Sequence, residues 1–174
     1  PGSEGQLGYT VTQVTRSDPS RFLNHPPIAT LKKKRCRHIV IVDDIVGSGN
    51  RIKRFMKSMR KERSLYSWIS FGWVKFHVVA FAVNKTAETK VRSVFNSHRS
   101  KKSCPVEIHF QERPVADSSA IPSDTLLMLK KFCERIGKQY KIDPIYHTGY
   151  AGNMANIIFS HKCPNNVPGI LWWN

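Results

Sequence analysis

Acidic residues are scarce in this chain: 12 aspartates and glutamates stand against 28 lysines and arginines in 174 residues, a formal charge of +16. Such an excess predicts an anionic partner, although charge alone does not choose among a nucleotide, a nucleic acid and an acidic protein. Apolar runs long enough to cross a bilayer are missing, as is a charged-then-apolar leader, so no membrane contact is expected and the expected compartment is the cytoplasm. There are four cysteines, Cys36, Cys104, Cys133 and Cys163, with no Cys-x-x-Cys pair. A zinc site among them would need long-range convergence, and reduced structural thiols are the favoured reading. The seven histidines are scattered likewise, and His77, inside an apolar run, is expected to be a hydrogen-bonded core residue rather than a ligand. With no repeat or linker, residues 1–174 read as one domain. The sequence opens Pro1-Gly2-Ser3-Glu4-Gly5 without a methionine, so the natural product is expected to begin upstream and part of the fold to be missing.

What the chain does have is concentrated in His38-Ile39-Val40-Ile41-Val42-Asp43-Asp44-Ile45-Val46-Gly47-Ser48-Gly49-Asn50-Arg51. Apolar and β-branched residues lead into two adjacent carboxylates, then a Gly-Ser-Gly turn. A helical stretch follows in which Ile52, Phe55, Met56 and Met59 share one face. The continuous apolar strand is the kind buried on both faces in a parallel sheet, where ligands bind just beyond the strands' carboxyl ends. Backbone N–H groups of Gly47 to Arg51, turning tightly at glycine and pointing out of a helix N-terminus, suit a phosphate dianion. Asp43 and Asp44 then face what the phosphate is attached to. Two carboxylates suit a ribose cis-diol, accepting from both hydroxyls or holding them through a divalent cation of oxygen preference.

Rival motifs fit less well. A receiver domain needs a phosphoacceptor aspartate on a later strand, yet no Asp occurs between Asp44 and Asp117, and Asp117 sits in a polar segment. A dinucleotide fold needs Gly-x-Gly-x-x-Gly, but Gly47-Ser48-Gly49 is followed by Asn50, Arg51 and Ile52, and no Walker A sequence is present.

The stretch Ile39 to Arg51 resembles the phosphoribosyl-pyrophosphate (PRPP) motif of type I phosphoribosyltransferases: apolar strand, Asp-Asp, variable residues, Thr/Ser-Gly, one residue, Thr. Arg51 stands where that family has threonine. The segments Arg21 to Pro26, Lys75 to Val78, Ile158 to Asn166 and Gly169 to Trp172 further resemble the phosphoribosyltransferase-like proteins of bacterial conflict and anti-phage operons. The resemblance implies that Asp43 and Asp44 bind the ribose hydroxyls and Mg²⁺, that Gly47, Ser48, Gly49, Asn50 and Arg51 hold the 5-phosphate, and that a pyrophosphate loop precedes the first helix. Gly2 and Ser3 are candidates for that loop, the alternative being a Pro-Gly-Ser cloning scar. It implies two functions. One is an enzyme that binds PRPP with Mg²⁺ and transfers or releases its phosphoribosyl group; the other is an inactive sensor or nucleic-acid-binding module in a defence complex.

The fold expected is α/β: an open, mostly parallel sheet with helices on both faces. Ser3 and Gln6 make a capping box for a helix carrying Leu7, Val11 and Val14. Phe76 to Val83 and Val106 to Phe110 read as strands, with a Thr86-capped helix between them that turns Ala87, Val91, Val94 and Phe95 inward. Ser123 and Asp124 open a helix with Leu126, Leu129, Cys133 and Ile136 inward and Gly137 as terminator, and Asn156 to His161 reads as a last strand. The basic run Lys32 to Arg37, with Lys53, Arg54, Lys57 and Arg60 on the motif helix, suits a sugar-phosphate backbone, and Trp68, Phe71 and Trp73 suit base stacking; a solvated face and core packing are the respective alternatives.

Overall fold

The computed structural model describes residues 3–95, 104–113, 121–160 and 163–173, with the backbone alone over 3–6. Its order is α1 (Ser3–Ser17), α2 (Ile28–Lys33), β1 (His38–Val46), α3 (Asn50–Met59), α4 (Arg63–Ser70), β2 (Lys75–Val83), α5 (Lys85–Arg92), β3 (Val106–Glu112) and α6 (Ser123–Gln139), followed by short 3-10 turns at Pro144–Tyr146, Tyr150–Gly152 and Gly169–Leu171. The three strands form one parallel sheet in the order β1-β2-β3, so the α/β class and the open parallel sheet are as expected.

All strand-to-strand steps run in one direction, and right-handed crossovers then set the connecting helices on the same face. One continuous core results. Ile52 and Met56 of α3, Ile69 of α4, and Ala87 and Val91 of α5 pack on Phe76, Val78 and Ala80 of β2 and on Val106 and Ile108 of β3. A second cluster joins Ile45 and Ala82, near the strands' carboxyl ends, to Ala155 and Val167 of the C-terminal segment.

Several elements differ from the sequence reading. β1 extends past Val42 to Val46, because Asp43, Ile45 and Val46 keep the ladder with Ala80, Ala82 and Val83; the acidic pair is part of the strand, not of the loop after it. Nor is β1 buried on both faces: Val40 and Val42 are 52% and 39% exposed, and Val79 and Phe81 of β2 are open to a similar degree. In α3 the inward stripe is Ile52, Met56 and the partly buried Met59, while Phe55 is half-exposed, standing about 60° around the helix from Ile52. The cap of α5 is Asn84, whose Oδ1 accepts from the backbone N–H groups of Thr86 at 2.9 Å and Ala87 at 3.4 Å. Ala87, Val91, Val94 and Phe95 are buried as expected.

Gly137 does not terminate α6, which continues to Gln139. A Cβ at Gly137 would run into the ring of His147, so glycine here serves packing within the helix. Cys133 is buried on α6, but Leu129 is exposed. The expected last strand at Asn156 to His161 is not a strand over the described residues 156–160; His161 lies outside them. Phe159 makes only an isolated bridge, and the residues just before this stretch are tied to the segment after it, Tyr150 N–H to Asn165 O at 2.7 Å and Ala155 N–H to Asn166 O at 3.0 Å. None of the described helices is long and apolar enough to cross a membrane.

Candidate functional site

β1 carries Asp43 and Asp44 side by side near its carboxyl end, and the register sets Asp43 beside Ala80. Asp43 is 8% exposed. Its Oδ1 accepts from the Asp44 backbone N–H at 3.0 Å, and Asp44 Oδ1 accepts from the Ile45 N–H at 2.8 Å. These local bonds fix both carboxyl groups against the strand. Burial, and then the side-chain hydrogen bond with Asp44, push the Asp43 pKa up to about 7, against the opposing pull of Arg51. At neutral pH the Asp43 carboxyl is therefore only partly ionised.

Gly47 to Gly49 then turn the chain into α3. Gly49 adopts φ +70° at the N-cap, a left-handed conformation that favours glycine, and a Cβ there would come within 3.2 Å of the Ala87 carbonyl oxygen. The N-cap residue Gly49 has no side chain to cap the ten-residue α3, and Ser48 Oγ accepts from the Asn50 N–H at 3.4 Å; the positive dipole end of the helix faces the loop. A glycine turn ahead of a helix N-terminus is an arrangement that can accept an anion.

Two residues that sequence reasoning missed hold the loop in place. Lys90 of α5 donates from Nζ to the Ser48 carbonyl oxygen at 2.9 Å and to Asn50 Oδ1 at 3.2 Å, bringing a cation to the loop. Asn166, 7% exposed, lies directly under Gly47, where a Cβ would collide with its carboxamide. Asn153 Nδ2 donates to Asn166 Oδ1 at 3.4 Å and to the Tyr150 carbonyl oxygen at 2.6 Å. Lys90 has no motif around it, and Asn166 sits in a Pro-Asn-Asn turn far along the chain, so only tertiary packing reveals either.

Arg51 takes a different course from the backbone around it. Its Nη2 bonds to Asp43 Oδ1 and stands 3.7 Å from Asp44 Oδ1, so the guanidinium bridges the acidic pair. Asp43, Asp44, Gly47, Ser48, Gly49, Asn50 and Arg51 thus form one cluster. Ser3 begins α1, which lies against β1, and Gly2 is outside the described residues. The donor set of two carboxylates suits a hard, oxygen-seeking cation such as Mg²⁺, and Arg51 already neutralises part of it.

A separate cleft of about 280 Å³ lies among α2, the end of α4 and the start of β2, lined by Lys32, Arg35, Arg37, Trp68 and Trp73 among others. Arg37 lies over the Trp73 ring at 5.7 Å, and Trp73 stacks on Phe71 at 5.2 Å. Phe71 and Trp73 are both more than half exposed, whereas Trp68 packs against the core. The basic run and the aromatic residues therefore meet at one place, away from the loop.

Neither a curated protein nor a solved structure matches the chain. A family model described as PRTase-CE does, over residues 6–174. The acidic pair, glycine loop and helix N-terminus on a parallel sheet are the features a phosphoribosyltransferase-like chain would carry, and with nearly its whole length matched this chain belongs to the PRTase-CE family.

Proposed function

We propose that the chain binds a ribose 5-phosphate group, as PRPP or a nucleotide, and acts on PRPP by transferring or releasing its phosphoribosyl group within a bacterial anti-phage system. One observation carries this reading: the Asp43–Asp44 pair and the N-terminus of α3 stand on either side of a single glycine turn. In this reading the backbone from Gly47 to Arg51 takes the 5-phosphate, Lys90 adds positive charge beside the loop, and Asp43 and Asp44 accept from the ribose hydroxyls. Mg²⁺ would be held at the same pair and would supply charge neutralisation for a departing pyrophosphate. The protein's own contribution is to fix the ribose orientation, since both carboxyl groups are anchored by backbone N–H groups. The test is release of pyrophosphate from PRPP and Mg²⁺, with and without candidate acceptor bases. Sustained release establishes an enzyme.

A second reading, binding without turnover, is favoured by Arg51. Its guanidinium supplies a fixed charge at the carboxylates that would otherwise hold hydroxyls or metal. PRPP binding without pyrophosphate release supports that reading, with the basic-aromatic cleft at Lys32, Arg37 and Trp73 as the contact for nucleic acid.

A further inference from the structure

On the sheet face opposite α3, α4 and α5, pairing sets His77 of β2 beside Glu107 of β3, and His109 follows two residues along β3 on the same face. Their polar atoms converge. His77 Nδ1 lies 3.3 Å from His109 Nε2 and 3.3 Å from Glu107 Oε2, and His109 Nε2 lies 3.8 Å from Glu107 Oε2. An ion holding ligands tetrahedrally at about 2.0–2.1 Å has ligand–ligand edges of about 3.3–3.4 Å, so the triangle is close to one face of that tetrahedron. We propose that His77, His109 and Glu107 bind a zinc-class transition-metal ion, with the fourth position open to solvent.

The nitrogen-rich donor set selects such an ion over Mg²⁺. A second ring fixes the first: His38 Nδ1 is 2.8 Å from His77 Nε2. With the Nε2 proton donated to His38, the Nδ1 lone pair of His77 points at the ion, which is the role a hydrogen-bonded neighbour plays for metal-bound imidazole. His109 is half-exposed, which gives an ion a path of entry. The site is separate from the acidic pair: His77 stands three residues before Ala80, the partner of Asp43, or about 10 Å along the strand. A carboxylate that merely neutralises protonated histidines would need no such convergence of three donor atoms.

The experiment is calorimetric titration of ZnCl₂ into the metal-free full chain, with the Co²⁺ absorption spectrum as a second probe. One equivalent of Zn²⁺ is expected to bind. His109→Ala, which removes a half-exposed side chain and should leave the melting temperature near that of the parent, is expected to weaken binding about 100-fold, and Glu107→Gln at least about 10-fold. His38→Phe should weaken it about 10-fold while keeping the stoichiometry, as expected of a positioning residue. Absence of binding, unchanged affinity in both His109→Ala and Glu107→Gln, or a thiolate charge-transfer band in the Co²⁺ spectrum would each overturn the assignment.

Discussion

At the scale of single residues the site turns on Arg51. Its sequence position marks the end of the glycine loop, but its side chain folds back on Asp43 and Asp44. A divalent cation and a guanidinium then compete for the same carboxylates. Two unit charges 4 Å apart interact by about 4 kcal/mol at an effective dielectric of 20, so removing one should be felt clearly even after screening. Arg51→Thr is therefore expected to raise Mg²⁺-dependent PRPP affinity by about 10-fold in calorimetric titration, and to leave binding of ribose 5-phosphate without metal close to the parent value. A fall in both affinities would mean that the guanidinium serves the phosphate after all. The pairing of Arg51 with the strand was hidden in the sequence, since nothing local says which of two nearby anions, a carboxylate or a bound phosphate, an arginine will choose.

At the scale of elements, α5 is held to the sheet by Glu88. Its carboxylate accepts from Arg92 Nη2 at 2.7 Å one turn later and from Arg113 just beyond β3, and Arg113 also donates to the Val83 carbonyl oxygen at 3.0 Å. The Arg113 hydrogen bond, reinforced by Arg92 and opposed by burial, holds the Glu88 pKa below its ordinary value of 4.5. With the folded value below the unfolded one, the stabilisation is complete above about 4.5 and is lost as pH falls through the folded value. Glu88→Gln should lower stability at pH 7 by about 1 kcal/mol and flatten the decline in melting temperature below pH 4.5. An equally steep acid limb in the variant would remove Glu88 from the account. The strands and the longer helices were legible because their periods differ: alternation marks β2, and apolar positions three and four apart mark α3, α5 and α6. The tail was not. Ile157 and Phe159 look like strand residues, but they pack on a cluster built from Ile45, Ala82 and Val167, and Tyr150 and Ala155 bond across to Asn165 and Asn166 rather than along a strand ladder. The start of α5 was misread by two residues because Asn84 and Thr86 are both good caps, and only geometry shows which one accepts.

At the scale of the whole molecule, Lys32, Arg35 and Arg37, which contribute to the formal charge of +16, line one cleft beside Trp68 and Trp73. If that cleft takes nucleic acid, retention on single-stranded DNA or RNA should fall with salt at a log-log slope of about −0.7 per neutralised phosphate. Replacing Lys32, Arg35 and Arg37 by glutamate should flatten the slope and leave PRPP binding intact, because these residues lie away from the loop; an unchanged slope would assign the charge to a solvated face. The acidic pair and glycine loop were legible as a contiguous run of residues, whereas their supports at Lys90, Asn153 and Asn166 come from α5 and the tail and could be found only in the folded chain. The central claim is that the acidic pair and the glycine loop together hold a ribose 5-phosphate group. Titration of PRPP and Mg²⁺ into the parent and into the Asp43→Asn, Asp44→Asn double variant tests it most directly. Saturable binding to the parent that is lost in a double variant with parental circular dichroism is the predicted result, and equal affinity in the two proteins would contradict it.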